Sequence, residues 1–177
     1  CRLVGGDAAF ISDAGNVDDA ERDARWLGLA LYRSVELSSM VGSSKATPQL
    51  GTLKALAGDA PLLGAYRVRT ARGVELLPRP NAGEAWLSSS GAERMRATIG
   101  ERITVGGRTL VMTGIVVEEP DRPLNGVELG PRVILPLTEV ETGGLLGPGA
   151  RASWRVSVAG APAAIAQWVK AREADPT

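Results

Sequence analysis

Glu118, Glu119 and Asp121 form the densest acidic group in the sequence, and carboxylates gathered this closely are the oxygen-rich set that holds a hard cation. Their stretch lacks the alternating ligand pattern of a calcium loop and is stiffened by Pro120 and Pro123, so a solvated turn is the preferred reading. The pairs Asp18/Asp19 and Glu139/Glu141 read as helix capping and as a charged helix start. Hydroxyl nucleophiles are plentiful at Ser38, Ser39, Ser43, Ser44 and from Ser88 to Ser90, but an activating base is needed. Histidine is absent, no Gly-x-Ser-x-Gly elbow occurs, and a Ser/Lys pairing through Lys45 or Lys54 has no supporting motif. Asp59, beside Pro61, suits turn formation by accepting backbone N–H groups, and it lacks a catalytic partner. The glycines from Gly143 to Gly149 lack the Gly-Lys-Ser/Thr ending of a phosphate-cradling loop. Trp26, Trp86, Trp154 and Trp168 each fall among apolar neighbours in an expected helix or strand, so all four read as core anchors.

Composition narrows the chemistry further. With no histidine and Cys1 as the single cysteine, imidazole acid–base catalysis, Cys/His zinc sites and an internal disulfide are removed together. Cys1 raises the question of a lipid anchor, and an ordinary residue is the preferred reading. Lys plus Arg equals Asp plus Glu at 20 each, so no net field favours nucleic acid or an anionic bilayer. A hydrophobic share of 44% over 177 residues is enough to bury a core and argues against disorder. The uninterrupted nonpolar runs, such as Gly114 to Val117, fall far short of the roughly 20 residues that span a bilayer.

The elements that must carry these residues follow from periodicity. Val4 to Ser12 reads as a first strand entered through Gly5-Gly6. Asp18 and Glu21 supply an N-cap and its reciprocal partner for a helix with Ala20, Ala24 and Leu27 on one stripe. Leu31, Val35, Leu37 and Val41 then line one face of a strand, with Arg33 as a polar exception, while Ser34, Glu36 and Ser38 line the other. A turn near Gly42 to Lys45 returns the chain into Pro48 to Gly58, which completes a β-α-β-β order.

From Pro61 to Pro80 the pattern breaks into short extended pieces. Glu84 to Ser88 is a strand leading into a capping box, Ser90-Gly-Ala-Glu93, whose helix groups Ala92, Met95 and Ile99. Glu101 to Val105 and Arg108 to Val117 form a hairpin across Gly106-Gly107, since paired glycines accept the positive φ of a two-residue turn. The second arm has Leu110, Met112 and Val116 on one side and Val111, Ile115 and Val117 on the other, so both faces are expected to be covered, as in a small barrel or sandwich. After a polar loop from Glu118 to Gly126, Val133 to Leu137 is extended again. Trp154, Val156 and Val158 alternate with Ser153, Arg155 and Ser157 in a half-buried strand. Pro162 opens a last helix with Ile165, Trp168 and Val169 on its apolar stripe.

That final β-α pair is what the opening β-α-β-β lacks. The expected fold class is α+β, a split β-α-β-β / β-α porter-like unit formed by residues 1–74 and 150–177, interrupted by a β-rich inserted unit at 75–149 with one short helix.

The order of several short motifs resembles one family. Leu3-Val-Gly-Gly-Asp-Ala-Ala-Phe10, Leu53-Lys-Ala-Leu-Ala-Gly-Asp-Ala-Pro-Leu-Leu-Gly64, Gly83-Glu-Ala-Trp-Leu87, Ile103 to Glu119, Pro131-Arg-Val-Ile-Leu-Pro-Leu137 and Gly147-Pro-Gly-Ala-Arg-Ala-Ser-Trp-Arg155 follow one another as in the large extracytoplasmic domain of YbbP-type ABC transporter permeases, within the FtsX/MacB-like group. Ala60 stands where a tyrosine is common and Leu63 where an arginine is common, so no role is carried over to either. The resemblance implies a MacB-like periplasmic domain without catalytic, cofactor-binding or metal residues. Such a domain couples cytoplasmic ATP hydrolysis to extracytoplasmic substrate or partner handling, a role described as mechanotransmission. It further implies an ATP-binding subunit reached through the full-length permease, a second permease copy or periplasmic protein as partner, and a lipid-related substrate. The implied location is the periplasmic side of a bacterial inner membrane. The rival readings are a free-standing periplasmic binding or adaptor module, which would need a concave site, and a hydrolase, which would need a clustered nucleophile and base.

Overall fold

Period-two alternation makes strands the dominant element, and a computed structural model describes residues 2–4, 7–12, 17–58, 65–120, 130–146 and 151–173. In chain order these form β1 (Arg2–Val4), β2 (Asp7–Ser12), α1 (Asp18–Trp26), β3 (Ala30–Ser43), β4 (Ala46–Gly58), β5 (Tyr66–Thr70), β6 (Gly73–Leu77) and β7 (Glu84–Ser88). They continue with α2 (Ser89–Met95), β8 (Arg102–Val105), β9 (Arg108–Glu118), β10 (Arg132–Pro136), α3 (Leu137–Thr142), β11 (Ala152–Ala159) and α4 (Pro162–Glu173). All the strands belong to one mixed sheet, ordered β1-β2-β11-β3-β4-β10-β7-β9-β5-β6, with β8 bridging β3 and β9.

That bridge closes part of the sheet on itself. β3 pairs with β4, β4 with β10, β10 with β7, β7 with β9, β9 with β8, and β8 returns to β3. The enclosed side chains are the largest apolar cluster, including Val35, Val41, Leu53, Leu87, Ile103, Met112, Val133 and Leu135, with Met95 of α2 and Val140 of α3 added to it. A second layer lies where α1 and α4 cover β2, β11 and the start of β3, burying Ala20, Ala24, Leu31, Val156, Val158, Ile165 and Trp168. The long strand β3 serves both, pairing through Ala30–Leu37 with β11 and through Val41–Ser43 with β8.

The glycine pair behaves as expected: Gly106 and Gly107 have φ of 54° and 88°, and Val105 pairs with Arg108 across them. Elsewhere local details correct the sequence reading. The first strand is a hairpin of β1 and β2 in which Arg2 pairs with Ala9. Val17, not Asp18, is the N-cap of α1 and makes no side-chain cap bond, while Glu21 accepts a hydrogen bond from Arg33 at 2.9 Å. Ser88, not Ser90, caps α2 by accepting from the Gly91 N–H at 3.1 Å. Two short helices, α2 and α3, lie between residues 75 and 149, where one was expected.

The apolar arm of β9 is divided differently from simple alternation. Ala85 pairs with Met112 but Trp86 pairs with Gly114, so Thr113 is a bulge that resets the parity of the strand. Leu110, Met112 and Ile115 therefore all pack with the barrel interior, Val116 packs outside it, and Val117 is 54% exposed. One face is filled and the other is covered only in part. β11 is also more deeply placed than a half-buried strand: it runs between β2 and β3, and Ser157 is buried along with Val156 and Val158. Trp86 and Trp168 are core residues, but Trp26 is 88% exposed at the end of α1. The helix turns that side chain away from the stripe formed by Ala20 and Ala24.

Candidate functional site

Charges inside an apolar strand must find partners, because an isolated buried charge is costly. Lys54 stands alone among the uncharged residues from Gly51 to Ala57, and Arg132 opens the apolar run of β10. Thr52 pairs in parallel with Arg132, and Lys54 with Ile134, which puts both cations on one face of neighbouring strands. Glu119, just past the end of β9, lies between them. The Arg132 Nε donates to its Oε2 at 2.8 Å and Nη2 to its Oε1 at 2.6 Å, while the Lys54 ammonium donates to Oε1 at 2.9 Å. Arg132 Nη2 also reaches the Glu36 carboxylate of β3 at 2.8 Å. The Lys54, Glu119 and Arg132 side chains are nearly all buried, whereas Glu36 remains about half exposed.

Burial acts to push Glu119 up, yet the Arg132 hydrogen bonds and the Lys54 and Arg132 charges outweigh it and hold the carboxyl below the usual range. For Arg132 burial favours the neutral form, and the bonds to Glu119 and Glu36 reverse that, raising an already permanent charge. Beside them Lys54 lies 5.6 Å from the centre of the Tyr66 ring. Tyr66 is fully buried against Trp86, and its phenol is pushed far up by burial first, then by Tyr32 and Glu119. The result is a set of two carboxylates and two cations joined by hydrogen bonds across three strands. It suits fixing strands, not acid–base chemistry.

Close backbone approach supports this junction. The Thr52 N–H donates to the Pro131 carbonyl at 2.9 Å, and a Cβ on Gly51 would run into that same carbonyl. A Cβ on Gly130 would meet the Leu50 carbonyl.

The residues first considered for chemistry are scattered. Glu119 is buried in the network above, a correction to the solvated turn; Glu118 is exposed and lies 3.7 Å from Arg67, and Asp121 falls outside the described residues. Lys45 donates to Glu101 at 2.7 Å, and Lys54 to Glu119, so each lysine is committed to a carboxylate. Ser43 donates to the Met95 carbonyl at 2.5 Å, and Ser88 is a helix cap. Glu139 is more than a charged helix start: it is buried, accepting from the Gly83 N–H at 2.8 Å and from Arg108 at 2.6 Å. Arg33, the polar exception on an apolar face, pairs with Glu21 and lies over the Trp154 ring at 5.6 Å. Asp59 and Gly147 to Gly149 lie outside the described residues. Among the described residues no group of three or more His, Cys, Asp or Glu is placed to hold a metal ion, and no helix is long and apolar enough to cross a membrane.

No protein-family profile matches the chain. It is 28% identical over 158 residues to the uncharacterized ABC transporter permease YbbP of Escherichia coli (strain K12), an alignment that covers 89% of this chain and 19% of that protein. Among solved structures, the periplasmic region of MacB from Actinobacillus actinomycetemcomitans superposes with a TM-score of 0.56 at 13% identity, covering 96% of this chain and 84% of that one. The extracellular domain of the noncanonic ABC-type transporter YknZ from Gram-positive bacteria gives 0.54 at 17% identity, covering 90% and 86%. The mixed sheet with few helices is thus the architecture of MacB/FtsX-like periplasmic domains. Over most of its length the chain is similar in sequence to one segment of the ABC transporter permease YbbP, about a fifth of that protein, and it shares its fold with the extracytoplasmic domains of MacB and YknZ.

Proposed function

We propose that this domain transmits movement between a membrane-embedded permease and the compartment outside the cytoplasm, coupling ATP hydrolysis by a cytoplasmic ATP-binding subunit to handling of an extracytoplasmic substrate or partner. The observation that carries the reading is the relationship to YbbP over 89% of the chain. In this reading the full-length protein sits in a bacterial inner membrane with the domain on the periplasmic side, where it meets a second permease copy or a periplasmic protein.

We further propose two mechanical units, residues 1–74 with 150–177 and residues 75–149. Supporting this division, the layer under α1 and α4 draws its buried residues from Ala8 to Leu31 and from Val156 to Trp168. Lys54 and Glu36 belong to one unit, Glu119 and Arg132 to the other, so the buried ion network is a clasp across the division. β3 and β4 of the first unit also complete the barrel of the second and share its core, so the two units would move together as a rigid joint, which passes force without needing chemistry.

The test purifies the full-length permease carrying this domain. It should copurify with an ATP-binding subunit, and Arg132→Met should change the ATPase rate of that complex while the isolated chain hydrolyses neither ATP nor acyl esters above buffer. Turnover by the isolated chain, or a full-length protein that purifies with no ATP-binding subunit, overturns the reading.

A further inference from the structure

On the sheet face that carries Glu36, a groove of about 520 Å³ opens over β3, β4 and β11, lined by Glu36, Ser38, Thr52, Arg151 and Ser153 among others. That volume suits a small polar ligand. The register extends the same face along β11: Ser153 pairs with Glu36, Arg155 with Ser34, and Ser157 with Tyr32. Two polar atoms just beyond the groove are buried without a hydrogen-bond partner, Arg155 Nε and Ser157 Oγ, and Ser157 as a whole is only 3% exposed. Buried polar groups are nearly always satisfied, so orphans beside a groove point to a missing partner.

Charge selects the partner's class. The carboxylates of Glu36 and Glu119 are matched by Lys54 and Arg132, which leaves Arg151 and Arg155 on this face with no ion pair among the described residues. Guanidinium groups beside the hydroxyls of Ser38, Thr52 and Ser153 are donors suited to an oxyanion. Glu36, about half exposed, is an acceptor at the edge of the same groove and suits a neighbouring ligand hydroxyl. We propose that this groove binds a phosphate ester of a polyol, with the phosphate held by Arg151, a hydroxyl held by Glu36, and Arg155, two residues beyond the lining Ser153, adding its charge from the groove's end. The site is read on the chain itself, so a failure of the permease reading leaves it standing.

The experiment follows amide shifts of the isotopically labelled 177-residue chain during titration with inorganic phosphate and glycerol 3-phosphate, at constant ionic strength. Saturable shifts are expected in Glu36–Ser38, Thr52 and Arg151–Ser153, with glycerol 3-phosphate the tighter of the two. Losing one charge-assisted contact weakens binding about tenfold or more, so Arg151→Gln should do so. Arg155→Gln should act likewise if its spectrum shows a retained fold; Arg151, being exposed, is the decisive position. Arg102→Gln, at an exposed position of β8, should leave binding unchanged. Co-sedimentation with phosphatidylglycerol vesicles, competed by glycerol 3-phosphate, would identify a lipid headgroup as the source, whereas ester binding without sedimentation would identify a soluble one; either supports the site. Absence of saturable shifts, wild-type binding by Arg151→Gln, or equal weakening by Arg102→Gln would overturn it.

Discussion

Replacing Arg132 with methionine keeps much of the side chain's volume but removes the fork that joins Glu119 to Glu36. The change deletes hydrogen bonds of 2.8 and 2.6 Å to Glu119 and one of 2.8 Å to Glu36. Bonds to charged groups contribute about 1.5–3 kcal/mol each when buried, and the half-exposed Glu36 contact adds little after solvent screening. Lys54 stays 2.9 Å from Glu119, so the carboxylate is not abandoned and the loss is about 3 kcal/mol, below the sum of its parts. At roughly 2–4 °C per kcal/mol for a chain of this size, the melting temperature should fall by about 6–12 °C. Urea unfolding followed by tryptophan fluorescence would measure the difference. Removing all three charges together, as Lys54→Met/Glu119→Leu/Arg132→Met, should be less damaging than Arg132→Met, because no buried charge is left behind. The pH dependence has a definite sign. Glu119 is held low in the folded protein, so its contribution is present above the ordinary value of about 4.3 and is lost as pH falls through the lower folded value. The gap between wild type and Arg132→Met should therefore narrow in acid. A loss of less than about 0.5 kcal/mol, the size of an ordinary surface substitution, would refute the clasp.

Glu101 offers a second titration: hydrogen bonds from Lys45 and Thr98 lower its carboxyl to about 2, so its stabilising effect is present above the unfolded value and disappears as pH falls toward that point. Carboxyl NMR should find it there, and Lys45→Met should move it upward. Gly51→Ala forces a methyl into the Pro131 carbonyl and should cost about 1–3 kcal/mol in urea unfolding. Trp168→Phe loses the indole N–H bond to the Ala20 carbonyl at 2.8 Å and should cost about 1–3 kcal/mol, whereas Trp26→Ser should change stability by less than about 0.5 kcal/mol in the same assay.

Local pattern revealed most of the strands because one face of each is packed and the alternation survives, as in Leu31, Val35, Leu37 and Val41. The Gly106-Gly107 turn was legible for a stereochemical reason and needed no tertiary information. Thr113 was not, since a bulge is defined only by the strand opposite it. Trp26 misleads because residue type gives the value of burial but not the direction in which a helix end points it. The ion network was half legible: Lys54 and Arg132 advertise themselves as single charges in apolar strands, and three motif segments supply Lys54, Glu119 and Arg132. Their meeting depends on the parallel pairing of β4 with β10, a long-range fact that periodicity does not encode. The groove was likewise hidden, because its walls come from strands far apart in sequence.

The position of β11 bears on how the chain is made. It begins at Ala152 and lies between β2 and β3, so the last of the described strands to be synthesised occupies an interior place in the sheet. Until it leaves the ribosome, the first-made strands wait with open edges, while the ring closed by β8 already has every strand it requires. Open edges invite mispairing with other chains. Newly made copies truncated before Ala152 should thus carry a finished barrel beside a split sheet, and they should aggregate more readily than copies that include β11.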